Sequence, residues 1–296
     1  MFGTEESLLG RRVGRARSAA AALPPTVLII LAIFTTQLGA AIAKGLFQTV
    51  GPGGTVFVRV GFAALVLLVL WRPRLGGYAR ADYAAAVVFG LVLGGMNFAF
   101  YSALNRIPLG IAVTLEFVGP LGVAVFGSRR ALDLLWVVLA GAGVLLLSPV
   151  GGADLDVLGA SLALTAGGLW AAYILLSARV GRAFPGGSGL VIAMLVAAGM
   201  LTPVGLLSGG TGLLAPSVLV TGLGVALLSA AIPYSLELAA LRRLPAHVFG
   251  VMMSLQPAAG ALVGLVILNE NIGLRGLSAV ALVTIATVGA TRSVRE

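Results

Sequence analysis

Apolar runs of membrane-spanning length, broken by short polar or flexible stretches, fill the chain from residue 25 to residue 292. An α-helix needs ~17–25 apolar residues to cross a bilayer. Runs of that kind lie at 25–43, 54–71, 81–104, 109–127, 132–150, 157–178, 188–208, 216–241, 245–268 and 274–292. The breaks are Gly51-Pro52-Gly53-Gly54, Arg72-Pro73-Arg74, Gly151-Gly152, Pro185-Gly186-Gly187 and Gly209-Gly210, all sequences that interrupt helices. The pattern predicts an all-α polytopic membrane protein with ten transmembrane helices. Residues 1–24 form a polar tail too short to fold alone, and 293–296 a second short tail. The start of the chain can also be read as a signal peptide ending at Ala41-Ile42-Ala43, but cleavage there would remove one span and spoil the repeat described next.

A shift of 137 residues superimposes one half of the chain on the other. Arg106-Ile107-Pro108 meets Arg243-Leu244-Pro245, and Phe117-Val118-Gly119-Pro120 meets Ser254-Leu255-Gln256-Pro257. The halves are 25–150 and 151–292, five spans each. An odd number of spans makes the second copy start from the other side of the membrane, so the expectation is two inverted five-helix repeats. Prolines at matching places in inverted repeats point to an alternating-access transporter.

Charge sets the orientation. Arg11, Arg12, Arg15 and Arg17, then Arg72, Arg74 and Arg80, Arg129 and Arg130, Arg179 and Arg182, Arg242 and Arg243, and Arg292 and Arg295 all fall on one side. Lys44, Arg106 and Arg275 fall on the other. This bias places both termini in the cytoplasm. It also accounts for the net charge of +9 without a nucleic-acid partner, because the basic residues sit at helix ends and not in one patch. Only 10% of residues are charged and mean hydropathy is +1.09. With no cysteine and one histidine, thiol chemistry and clustered metal ligands are not expected, and nothing calls for a cofactor. The glycine pairs do not form a phosphate-binding loop.

Against this background Glu116 stands out. A charged side chain at mid-membrane costs ~2.5–3.5 kcal/mol, so an acid there is a functional candidate. Pro120 has no N–H to give to the Glu116 carbonyl four residues back, and Gly119 leaves a gap beside it. An acid, a freed carbonyl and a gap suit a cation or ammonium group; the alternative is a packing pair with a neighbouring Arg or Tyr. Asn97 and Tyr101 are four apart on the third span and share a face, so they could donate to a substrate carboxylate or bond a neighbouring backbone. Gln256, beside Pro257, is a lining candidate, as is Tyr234 near Pro233. Glu237, one turn after Pro233, could carry a proton or reach the surface beside Arg242. His247 could relay protons. Arg59 could attract a carboxylate or pair with an acid, and Lys44 and Gln37 are similarly open. Trp71, Trp136 and Trp170 read as interface or packing aromatics; Gly141, Gly143, Gly167 and Gly168 read as helix-packing positions.

Leu109-Gly110-Ile111-Ala112 and Leu115-Glu116-Phe117-Val118-Gly119-Pro120-Leu121 resemble the drug/metabolite transporter superfamily, EamA type, and within it the threonine/homoserine exporter group of bacterial inner membranes. Arg59 and the Trp71-Arg72-Pro73 end of the second span fit as well. The resemblance implies a cavity lined by the third, fourth, eighth and ninth spans and export coupled to an ion gradient by proton exchange. The second repeat has Met253 in place of Glu116 and Gln256 in place of Gly119, so the site should be asymmetric. The expected activity is secondary export of small metabolites, amino acids first, with substrate, protons and lipid as partners and a homodimer left open. A drug or nucleobase-like exporter of the same fold is the rival within transport. An intramembrane enzyme would need a second converging polar group, which the sequence does not supply; a structural or sensory membrane protein is the third class.

Overall fold

The computed structural model describes residues 23–71, 73, 76–126, 131–146, 156–184, 187–241, 243, 249 and 252–293, and among these the regular structure is entirely helical. In chain order the helices are α1 (Pro25–Gly45), α2 (Phe47–Trp71), α3 (Arg80–Leu104), α4 (Leu109–Glu116), α5 (Val118–Phe126), α6 (Ala131–Leu146), α7 (Val157–Ala183), α8 (Ser188–Gly209), α9 (Pro216–Ala226), α10 (Ile232–Leu241), α11 (Gln256–Ile267) and α12 (Gly273–Ser293). Among the described residues five stretches are each long and apolar enough to cross a membrane: Pro25–Gly45, Phe47–Val69, Arg80–Leu104, Val157–Ala183 and Ser188–Leu214.

Proline and glycine decide where the apolar runs are whole and where they break. Pro25 opens α1 and Pro216 opens α9, where a missing N–H costs nothing. The break expected over 51–54 is a single residue wide. Gly51 takes φ +67 inside α2, Pro52 restarts the helix, and Thr55 Oγ1 donates to the Gly51 carbonyl at 2.7 Å. The long helix therefore runs from Pro52, close to the expected 54, and a single helical turn, Phe47–Val50, precedes the kink. The fourth run breaks at Phe117 into α4 and α5. The eighth is also interrupted: a five-residue π turn, Leu227–Ala231, separates α9 from α10.

Packing pairs the helices in a regular way. α2 runs antiparallel to α8, with Gly53 beside Ser208 and Gly205 against Phe57. α4 runs antiparallel to α11, with Gly110 against Ala261, Val113 against Gly260 and Leu109 near Gly264. α6 runs antiparallel to α12, with Gly143 against Ala279 and Val283, and Trp136 against Gly289. α3 packs on α7, and α1 on α10. Lipid offers apolar groups as good as another helix does, so close backbone approach at small residues carries much of this association. Of the glycines expected to pack, Gly143 and Gly167 do; a Cβ at Gly141 or Gly168 would meet nothing within 4 Å. Trp170 packs edge-on against Phe117, ring centroids 4.9 Å apart. The side chain of Trp71 lies outside the described residues.

Ion pairs tie the end of the bundle that carries Lys44 and Arg106. Lys44 Nζ lies 2.5 Å from Glu270 Oε1, and Glu270 Oε2 accepts the Leu109 N–H at 2.7 Å, capping α4. Asn269 supplies the left-handed turn (φ 53) that swings Glu270 back, and the Glu270 N–H returns to the Gly264 carbonyl at 3.0 Å. Arg106 pairs with Asp156 at 2.6 Å, and Asp156 caps α7 by accepting the Gly159 N–H at 2.7 Å. The Gly159 bond, and then Arg106, hold the Asp156 carboxyl below the usual range.

Candidate functional site

The polar residues of the interior converge where α2, α3, α4 and the π turn meet. Glu116 is the last residue of α4 and is buried, so it does not face lipid. It lies within electrostatic reach of Arg59 and Tyr101. Among the described residues no hydrogen bond or ion pair reaches its carboxylate. The packing-pair alternative for Glu116 therefore finds no direct contact.

The gap expected beside Gly119 is filled. A Cβ there would fall on the Gly167 carbonyl of α7, and a Cβ on Gly167 would come within 2.6 Å of the Glu116 carbonyl oxygen. The expectation that something else approaches at Gly119 is corrected: the missing side chain lets the α7 backbone press against the turn that carries Glu116. The carbonyl freed by Pro120 sits in that same contact. Gly119 thus admits the α7 backbone beside the turn that carries Glu116.

Arg59 projects from the middle of α2 and is half-buried. Its Nε donates to Ser229 Oγ at 2.7 Å, Nη2 to the Ser229 carbonyl at 3.2 Å, and Nη1 to Asn97 Oδ1. Its Cζ sits 5.5 Å from the Tyr101 ring centroid, a cation–π distance. Asn97 and Tyr101 do share a face of α3, as their spacing predicts. Asn97 Nδ2 donates to the Leu93 carbonyl at 2.8 Å, which turns its oxygen toward Arg59. The Tyr101 hydroxyl is buried near Ser229 but has no partner at hydrogen-bond geometry.

Ser229 is the residue that reading the sequence missed, and there was a signal for it. Pro233 lacks the N–H that would close onto the carbonyl four residues back, and that carbonyl belongs to Ser229. The freed oxygen is the one Arg59 takes. π turns recur at functional sites because they expose such groups.

Gln256 and Gln37 are both buried and satisfy each other, Gln37 Nε2 donating to Gln256 Oε1 at 2.5 Å. The register of α4 against α11 runs from Gly110 and Ala261 through Val113 and Gly260 toward Glu116 and Gln256. Glu237 is half-buried on α10. Tyr234 follows Pro233 on the same helix; its side chain, like His247, lies outside the described residues. Lys44 belongs to the Glu270 tie at the helix ends, apart from Arg59 and Asn97. Among the described residues no group of three or more His, Cys, Asp or Glu could hold a metal ion.

Comparison with known proteins shows the family and the fold. Residues 157–292 match the model of the EamA-like transporter family. The threonine/homoserine exporter RhtA of Salmonella typhimurium (strain LT2) is 43% identical over 276 residues, covering 92% of each chain. RhtA of Escherichia coli K12 is 42% identical over 274 residues, again covering 92% of each. A solved crystal structure of a protein 19% identical superimposes over 92% of this chain and 97% of that one with a TM-score of 0.58, which shows a shared fold. The two RhtA relatives are named as exporters and not as enzymes, and the chain belongs to the EamA-like transporter family, in its threonine/homoserine exporter group.

Proposed function

We propose that this protein is a secondary exporter of small amino acids of the threonine and homoserine kind, driven by proton exchange through alternating access in the bacterial inner membrane. The observation that carries the proposal is Glu116: a buried, unpaired acid on a broken span, in a chain 42–43% identical to threonine/homoserine exporters over 92% of its length. An acid so placed takes either an ammonium group or a proton, and the competition between them couples the two fluxes. Asn97, Tyr101, Gln256 and Tyr234 line the path. Glu237 is the second proton-carrying group, and Gly119 holds the Glu116 turn.

The architecture proposed is ten spans in two inverted repeats, 25–150 and 151–292, with both termini cytoplasmic. The packing supports the inversion. A shift of 137 residues exchanges α2 with α8 and α6 with α12, and these partners pack on each other antiparallel; α4 packs antiparallel on α11, which the shift makes the counterpart of α5. The same shift turns the α3–α7 contact into that of α10 with α1. The ion pairs support the orientation, because Lys44 and Arg106, on the outer side by charge, are neutralised by Glu270 and Asp156. That leaves the unbalanced positive charge inside.

The test is threonine and homoserine flux in proteoliposomes under an imposed pH gradient. Wild type is expected to accumulate amino acid against its gradient, and Glu116→Gln to lose the response to pH. Unchanged proton-driven flux in Glu116→Gln rejects the role given to the acid. Transport of apolar drugs with no amino-acid flux favours the drug-exporter alternative.

A further inference from the structure

We propose that Arg59 is the anchor for the substrate's α-carboxylate, opposite Glu116, so that the site selects zwitterions. The inference rests on the export reading above and adds to it the second pole of the ligand.

Arg59 is a cation in the middle of a membrane-spanning helix, yet among the described residues its hydrogen-bond and ring partners are all neutral: the Asn97 amide oxygen, the Ser229 hydroxyl and carbonyl, and the Tyr101 ring. A guanidinium has five N–H donors. Nε, Nη1 and Nη2 each spend one on these oxygens, which leaves one donor on each terminal nitrogen. Two donors on neighbouring nitrogens of a guanidinium match a carboxylate in bidentate fashion. The Tyr101 hydroxyl, buried without a hydrogen-bond partner, is a further donor at the same place.

Glu116 is close enough to feel Arg59 electrostatically but makes no ion pair with it. A purely structural buried arginine would be expected to close onto the acid, because an unpaired buried charge is costly. Here the two groups lie within electrostatic reach and make no ion pair. A zwitterionic amino acid satisfies both at once, carboxylate to Arg59 and ammonium to Glu116. An amine without a carboxylate leaves Arg59 unanswered, and a carboxylate without an ammonium leaves Glu116 so. The neutral oxygens on Arg59 stabilise the cation in the empty carrier without competing as a fixed carboxylate would.

The experiment is threonine counterflow in proteoliposomes, with threonine, threonine amide and N-acetylthreonine as competitors. Wild type is expected to prefer threonine over both analogues by about 10- to 100-fold, the range of one charge-assisted hydrogen bond. Arg59→Gln is expected to lower threonine affinity to that of the amide, whose own affinity stays the same. Asn97→Asp separates anchoring from mere support, since it installs a carboxylate on Arg59 permanently. The anchor role predicts a protein at least as heat-stable as wild type that no longer exchanges threonine; a structural role predicts a stable protein that still does. Threonine preference surviving in Arg59→Gln, or exchange surviving in Asn97→Asp, overturns the assignment while leaving the export reading intact. Wild-type liposomes that exchange no amino acid at all overturn the export reading itself.

Discussion

Two adjacent glycines of α7 give a matched pair for testing whether backbone contact positions the acid. Gly167 faces the Glu116 carbonyl; Gly168 faces open space. In a helix interior, replacing Gly by Ala stabilises by about 0.8–1 kcal/mol. At Gly168 nothing opposes that gain. At Gly167 the new methyl would meet the Glu116 carbonyl oxygen at 2.6 Å and its Cα at 3.3 Å. Both are backbone atoms, so no rotamer change relieves the clash and the helices must part. Overpacking costs ~1–3 kcal/mol, and backbone against backbone belongs in the upper half of that range. The two variants should thus differ by about 2–3 kcal/mol, roughly 30- to 150-fold in the folding equilibrium. The assay is unfolding in detergent micelles titrated with SDS, read from Trp170, which lies on the same helix against Phe117. Gly167→Ala should unfold early and transport poorly, and Gly168→Ala should unfold slightly late and transport normally. Equal midpoints for the two variants would refute the argument that this contact fixes Glu116.

Other expectations follow from the same geometry. Glu270→Ala removes both the Lys44 partner and the Leu109 cap, and should cost about 1–3 kcal/mol; Glu270→Gln keeps an acceptor for the cap and should cost less in the same SDS titration. Asp156 is held below the usual carboxyl range by Gly159 and Arg106, so its stabilising effect is present above its unfolded pKa of about 3.9 and is lost as pH falls through the depressed folded value. The melting difference between wild type and Asp156→Asn should be steady near neutrality and disappear only in strong acid. Pro233→Ala restores an N–H that competes for the Ser229 carbonyl; threonine affinity in counterflow should fall while expression and melting hold.

Much of this molecule is legible in its residues, and the places where reading failed share a cause. Apolar length and Pro or Gly breaks located the helices, because hydrocarbon forces every backbone group to be satisfied internally. Glu116 was legible because an acid is costly at that depth. Asn97 and Tyr101 were found on one face by spacing alone. The gap at Gly119 was misjudged, since a missing side chain can admit a ligand or a neighbouring helix, and only the position of α7 decides which. Gly51 through Gly54 looked like a loop because composition does not reveal that one positive φ suffices to turn the chain. Ser229 and Glu270 were overlooked because each works through a partner far away in sequence, Arg59 in one case and Lys44 with Leu109 in the other.

The π turn ahead of Pro233 gives the rod from Pro216 to Leu241 an unusual mechanical property. It stores one residue of slack beside the guanidinium that grips its carbonyl. When such slack migrates along a helix, the residues it passes turn by about 100° each, while the segments on either side keep their register. Were the Arg59 grip on the Ser229 carbonyl released, slack moving past Glu237 would turn that side chain toward different neighbours and leave the ends of the rod where they are.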